Sequence, residues 1–344
     1  MNENSTKHLI QRMLRTMILA RALDNAATSL QRQGELALWP SLLGQEAAQA
    51  GLAAALIDTD VIFPTYREHG VLLSRGIKPT ELLGLYRGTS LGGWDPHDYN
   101  CFLSTLVIGA QTLHGVGYAM GIQRTAEKQE SGSPPGRAVV VCLGDGSFSQ
   151  GETNEAFVWS ATQNAPVVFY CQNNQWAISS PTSVQSKVPL SDRGKGFGIP
   201  SEQVDGNDAV ACFEAASKAL VRARDGGGPT LIEAMTYRIN PHTTSDDDTR
   251  YRTEEDKQVW RNRDPIALTI GKLRECSTDA NTDVFVAEIE AEARILDKKI
   301  RRDCRAMTNP DLRDPFSYTY THPTPELQCQ EQIYLNQFEA ESPS

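Results

Sequence analysis

Gly144-Asp145-Gly146 is followed, 29 positions after its aspartate, by Asn174, the second residue of Asn173-Asn174. A carboxylate and a carboxamide oxygen brought together suit Mg²⁺, a hard ion that takes oxygen ligands in octahedral geometry. It usually keeps phosphate oxygens and water as its remaining ligands, so the chemistry on offer is the holding of a metal-bound diphosphate. Alone, either motif is an ordinary turn or loop. What gives the pair weight is its setting. Each half follows an apolar run of strand character, residues 138–143 (AVVVCL) and 167–171 (VVFYC). Between them, Glu152 to Gln163 predicts a helix with Ala156, Phe157, Trp159 and Ser160 on one packed face. Such a strand-helix-strand unit crosses over right-handed in nearly all cases, with its strands parallel. Asp145 and Asn174 are therefore expected at the carboxyl edge of the sheet, where open α/β sheets bind ligands.

The elements that must carry this site can be read coarsely. Residues 7 to about 33 predict a helix with Ile10, Met13, Leu14, Met17, Ile18 and Ala22 on one face. Gln45 to Leu56 predicts an alanine-rich helix, and helical starts follow at Glu81–Tyr86 and within Leu106–Gly121. Asp208–Arg224 and Phe285–Arg305 read as amphipathic helices. Lys128–Arg137 reads as a surface linker, and 179–200 and 240–252 as polar loops of the kind that carry function. The chain reads as a single α/β domain over 1–344, with an N-terminal helical arm (1–60) and a C-terminal helical extension (265–344).

Composition narrows the class. Apolar residues at 40% and 26 glycines in 344 residues fit a globular α/β protein. A net charge of −10 argues against a nucleic-acid surface. No run approaches a membrane span and the polar start is not that of a signal peptide. Seven dispersed cysteines fit a reducing, cytoplasmic setting rather than a disulfide framework.

A longer succession of motifs extends the pattern: Gln31–Trp39 (QRQGELALW), Gly44–Gln49 (GQEAAQ), Phe63–Gly70 (FPTYREHG) and Gly109–His114 (GAQTLH). Next come Gln172–Ser179 (QNNQWAIS), Val204–Asp208 (VDGND), Gly228–Glu233 (GPTLIE) and Thr236–Asp247 (TYRINPHTTSDD). From about residue 10 to about residue 265 this resembles the alpha subunit of the first, decarboxylating component of 2-oxo acid dehydrogenase complexes. The likeness is nearest to the bacterial branched-chain type, on the Thr236–Asp247 run, with the pyruvate type close behind.

The resemblance implies a transketolase-like fold that binds thiamine diphosphate (ThDP). It implies that Asp145 and Asn174 bind Mg²⁺ through their side chains and Trp176 through its carbonyl. Tyr66 and Arg67 would contact the diphosphate, as would the backbone amides of Gly146 and Ser147. His242 would reach the phosphate and lie beside the reacting thiazolium carbon as the catalytic histidine. Leu106 and Ile108 would hold the aminopyrimidine ring through their backbone, Ile108 also bending the cofactor. Standing alone, Arg67 would read as a surface ion pair with Glu68 or Glu81, and His242 as a solvated loop residue. His69, His97 and His114 match less sharply and read as supporting or structural.

The family chemistry is oxidative decarboxylation of a 2-oxo acid with acyl transfer to a lipoyl group. It implies a beta subunit in an alpha2-beta2 assembly and a lipoyl-bearing acyltransferase as partners, with this chain inactive alone and its loops at 179–200 and 240–252 ordering around cofactor. The chain departs from the pattern at Ser147–Gly151, at Trp176 where relatives carry tyrosine, and at Thr243 where mitochondrial relatives carry a phosphorylated serine; no regulation is expected there. A self-sufficient ThDP enzyme would need a pyrimidine-binding half for which this chain has no room. A Rossmann nucleotide binder would need a glycine-rich turn opening the first crossover, which Gly115-Val-Gly117 and Gly226-Gly-Gly228 do not provide.

Overall fold

In the computed structural model, which describes residues 3–90, 92–129, 136–276 and 279–341, the two apolar runs lie side by side at the centre of a sheet. Strand β2 (Val139–Gly144) pairs in parallel with β3 (Val167–Asn173), in a register that joins Val139 to Val167 and Gly144 to Gln172. Both strands are buried almost throughout, as expected of unbroken Val-rich runs covered by helices on both faces. The sheet is completed by β1 (Val61–Phe63), β6 (Ser201–Asp205) and β7 (Thr230–Met235), all parallel, in the spatial order β1-β2-β3-β7-β6. Two-residue strands β4 (Trp176–Ala177) and β5 (Ser180–Pro181) form a separate antiparallel pair.

Six helices matter most for the site. They are α1 (Glu3–Arg32), α2 (Glu46–Ala55), α3 (Ala110–Gln129), α4 (Gly151–Thr162), α5 (Ala209–Arg224) and α6 (Asp279–Arg305). The apolar face foreseen on α1 is buried at Ile10, Met13, Leu14, Met17 and Ile18, and the helix packs against α6. Helices α2 and α5 meet where Gly51 faces Cys212. A Cβ on Gly51 would lie 2.5 Å from that of Cys212, so only glycine lets the two helices approach this closely.

Two expectations change. Trp159 is 44% exposed and donates its Nε1 proton to Glu155. The buried stripe of α4 runs instead through Thr153, Ala156, Phe157 and Ser160, because Trp159 lies two residues from Phe157 and so faces away from it. Segment 179–200 is not a structureless loop, since it holds β5 and short helices at Thr182–Gln185 and Leu190–Gly196. The linker expected at 128–137 lies, at 130–135, outside the described residues.

All seven cysteines are free: Cys101, Cys142, Cys171, Cys212 and Cys304 are buried, whereas Cys276 and Cys329 are exposed. Burial pushes the Cys142 and Cys171 thiols well above their usual range. No helix among the described residues is long and apolar enough to cross a membrane.

Candidate active site at the carboxyl edge of the sheet

A cavity of about 590 Å³ opens beyond the carboxyl ends of β1, β2 and β3, within the usual size range of small-molecule sites. Tyr66, Arg67, Leu106, Ile108, Asp145, Gly146, Ser147, Asn174, Trp176 and His242 all line it. The β2–β3 register explains half of this gathering. With Gly144 paired to Gln172, the chain leaves both strands at the same level, and Asp145 and Asn174 follow directly.

Asp145 opens a tight turn, Asp145–Ser149, and is 2% exposed. Its Oδ2 accepts from Thr182 Oγ1 at 2.9 Å and Gln185 Nε2 at 3.1 Å. No ion pair compensates it among the described residues. Burial pushes its pKa up, against the opposing pull of these two hydrogen bonds and of Arg238. Asn174 accepts at Oδ1 from the Trp176 amide, 3.2 Å, and donates from Nδ2 to Gln45 Oε1, 3.3 Å. The Trp176 carbonyl accepts from Arg238 Nη1 at 2.9 Å. The other Asp145 oxygen, Oδ1, accepts from neither of these side chains, and Asn174 Oδ1 and the Trp176 carbonyl each keep a further lone pair. The donor set of a carboxylate, a carboxamide and a carbonyl is entirely oxygen and fits a hard divalent ion. Beside it, a Cβ on Gly146 would lie 2.9 Å from that of Ala177, so glycine is required for the turn to sit this close to the β4–β5 pair.

The opposite charge comes from two buried guanidiniums. Arg67, 5% exposed, is no surface ion pair: it donates from Nη1 to the Ser41 carbonyl and from Nη2 to the His242 carbonyl at 3.0 Å. Glu68 is engaged elsewhere, by Thr65 and Gln172. Arg238, fully buried, donates to the Trp176 and Ile178 carbonyls and to the Tyr251 hydroxyl, and burial lowers its pKa to about 10. Neither arginine has a carboxylate partner among the described residues. Buried charge without a counter-ion is costly, and an anion bound in the cavity would meet Arg67, which lines it, with Arg238 behind the wall.

His242 stands between them. Its Nδ1 lies 3.3 Å from Arg67 Nη2 and 3.5 Å from Arg238 Nη1. Arginine only donates, so Nδ1 is the acceptor and the ring proton sits on Nε2. Burial, then Arg67 and Arg238, lower its pKa to about 3, which makes it a neutral imidazole at any physiological pH. The Tyr66 ring meets it edge-on at 6.0 Å. The chain that carries His242 is pinned from behind by Arg252. That guanidinium donates to the carbonyls of Arg238, Ile239 and Asn240 and pairs with Asp248, which Lys257 also reaches at 3.2 Å.

Leu106 and Ile108, 61% and 37% exposed, stand at the cavity mouth just before Gly109, whose φ of +87° turns the chain into α3. His69 is buried, stacked on Trp39 and bonded through Nε2 to the Pro40 carbonyl, whereas His97 and His114 are exposed; none of the three lines the cavity. The sequence reading did not single out Arg238, Thr182 or Gln185. Arg238 lay inside the Thr236–Asp247 run, where its lack of an acidic neighbour at helical spacing was the available signal. Thr182 and Gln185 carried none.

Residues 14–301 match the family described as dehydrogenase E1 component. The chain is 42% identical to the 3-methyl-2-oxobutanoate dehydrogenase subunit alpha of Mycobacterium tuberculosis, over 91% of this chain and 83% of that one. It is 38% identical to the pyruvate dehydrogenase E1 component subunit alpha of Acholeplasma laidlawii, over 94% and 92%. Against the Staphylococcus aureus protein of the same description the identity is 36%, over 76% and 69%. The chain belongs to the dehydrogenase E1 component family, whose members depend on thiamine diphosphate.

Proposed function

We propose that this chain is the alpha subunit of a branched-chain 2-oxo acid dehydrogenase. With a beta subunit, in an alpha2-beta2 assembly in the cytoplasm, it would bind ThDP and Mg²⁺ and decarboxylate 3-methyl-2-oxobutanoate or a similar acid. The acyl group then goes to the lipoyl group of an acyltransferase component. The observation that carries the reading is one cavity lined by a buried carboxylate without an ion-pair partner among the described residues, Asp145, and a buried guanidinium, Arg67, without an acidic partner there, with Arg238 fully buried behind the Trp176 and Ile178 carbonyls. A metal-bound diphosphate answers both needs.

In this reading Asp145, Asn174 and the Trp176 carbonyl hold the metal. Arg67, Tyr66 and the amides of Gly146 and Ser147 hold the diphosphate, and the backbone at Leu106 and Ile108 holds the aminopyrimidine. Bound ThDP supplies the carbanion and the electron sink for loss of carbon dioxide. His242 presents its Nε2 proton as a hydrogen-bond donor, orienting substrate or phosphate, and the flanking arginines keep its Nδ1 an acceptor. Segments 179–200 and 240–252 order further around bound cofactor, as lids do.

The branched-chain type is favoured over the pyruvate type by the Thr236–Asp247 run and by the 42% against 38% identities. The test is co-expression with the beta subunit and decarboxylation with an artificial electron acceptor, comparing 3-methyl-2-oxobutanoate with pyruvate, each with and without ThDP and Mg²⁺. Cofactor-dependent turnover of the branched acid supports the proposal. Preference for pyruvate moves the chain to the other type, and failure to bind ThDP refutes the roles given to Asp145 and Asn174.

A further inference from the structure

Asp24, on α1, is 1% exposed and does not line the cavity. Its carboxylate accepts three hydrogen bonds from one short stretch of chain: Trp39 Nε1 at 2.8 Å, the Leu42 amide at 2.9 Å and Ser41 Oγ at 2.6 Å. Every partner is a donor, which suits an ionised, acceptor-only carboxylate, and no cation pairs with it among the described residues.

The stretch it gathers holds both Arg67 and the His242 loop. The Ser41 carbonyl accepts from Arg67 Nη1, and Ser41 Oγ accepts from Asn240 Nδ2 at 2.9 Å. Trp39 exchanges two hydrogen bonds with Thr244, its amide donating to Thr244 Oγ1 at 2.9 Å and its carbonyl accepting from the Thr244 amide at 3.0 Å. His242 thus sits midway between two anchor points, Asn240 and Thr244, both tied to residues that Asp24 holds. The single proton of the Ser41 hydroxyl goes to Asp24, which leaves its lone pairs for Asn240 and for the Leu43 amide at 3.2 Å. An amide in place of the carboxylate would keep the oxygen toward Trp39 and Leu42 and turn an N–H donor on Ser41. The hydroxyl proton would then swing toward the Asn240 amide, donor against donor.

We propose that Asp24 is a positioning residue that, through Ser41, sets Arg67 and the His242 loop in the placement that receives the anion; this rests on the reading of the cavity as a diphosphate site. The experiment is Asp24→Asn in the co-expressed alpha2-beta2 complex, with ThDP affinity titrated at saturating Mg²⁺ and kcat measured at saturating cofactor. Affinity is expected to fall roughly tenfold, the scale of one lost hydrogen bond to a charged group, with kcat within about threefold. In the Asp24→Asn, Arg67→Lys double variant the losses are expected to overlap, leaving it within about twofold of Arg67→Lys alone, as coupled residues do.

Leu23→Ala, a fully buried core loss one residue away, is expected to lower Tm without moving ThDP affinity. If Asp24→Asn does not assemble, Ser41→Ala carries the same expected affinity loss. Unchanged affinity in the variant that assembles, additive losses in the double variant, or an equal loss in Leu23→Ala would each overturn the proposal. Failure of the unaltered complex to bind ThDP would overturn the cofactor reading itself, and this inference with it.

Discussion

Asp145→Asn separates two roles that one carboxylate could have, because they predict opposite signs. Asp145 is 2% exposed, accepts two hydrogen bonds and has a pKa pushed above 3.8 by burial. The folded protein therefore keeps this proton to higher pH than the unfolded chain does. The burial penalty is absent below the unfolded pKa and grows as pH rises toward and through the raised folded one. The amide removes the charge and keeps the shape, so the cofactor-free complex should be unchanged or more stable by about 0–2 kcal/mol. Affinity for ThDP with Mg²⁺ should fall at least about 100-fold, or about 2.7 kcal/mol. Thermal unfolding of the complex with and without cofactor reads both effects. At a cofactor concentration of about 100 times Kd, the unaltered protein gains about 2.7 kcal/mol. For a chain of 344 residues that is a rise of about 4 °C, whereas the variant at the same concentration gains about 0.4 kcal/mol and less than 1 °C. A lower cofactor-free Tm with the full cofactor shift retained would refute the reasoning, leaving Asp145 as a post for Thr182 and Gln185 and not a metal ligand.

Gly146→Ala should weaken ThDP binding at least tenfold and cost about 1–3 kcal/mol of stability, since its Cβ would lie 2.9 Å from that of Ala177; calorimetric titration and denaturant unfolding check the two halves. His242 has its pKa lowered from 6.5 to about 3, so its folded form refuses a proton that the unfolded chain accepts, and it erodes stability as pH falls below 6.5. His242→Gln should flatten that acid-side loss, read as a Tm difference that widens from pH 7.5 to pH 5; a constant difference would contradict the shift. Arg252→Met should strip three carbonyls of their donor and leave Asp248 to Lys257 alone, a loss of about 3 kcal/mol seen as faster proteolysis within 240–252. Cleavage at 179–200 and 240–252 in the unaltered complex should slow when ThDP and Mg²⁺ are added, and identical digestion patterns would count against these segments as lids.

The centre of the fold was legible because β2 and β3 are unbroken apolar runs, and a strand buried on both faces must be one. The edges were not. β1 has only three residues, and β6 (SEQVD) has no fully buried position, so neither shows an apolar periodicity; their pairing is decided by β2 and β7. On α4 the position of Trp159 was lost because an aromatic in an apolar helix looks buried until its angular offset from Phe157 is counted. In the cavity, the residues carried by linear motifs stand together along one lining. What sequence could not show was the cost side, namely that Arg67 and Arg238 are buried with no acidic partner among the described residues and that Asp24, 43 positions before Arg67, would meet it through Ser41. Such relations exist only once α1 is folded against the 39–42 stretch.

The distribution of thiols has a practical use. The five buried cysteines include two in the central strands whose thiolates are strongly disfavoured, so at neutral pH they are poor nucleophiles. Cys276 and Cys329 are at the surface, at the end of the Pro265–Glu275 helix and on the Pro325–Glu341 helix. A maleimide dye should therefore mark these two positions on the native chain without any engineering. The pair would report by energy transfer on how the C-terminal helices move as a beta subunit assembles, while the cavity, which neither cysteine lines, is left unlabelled.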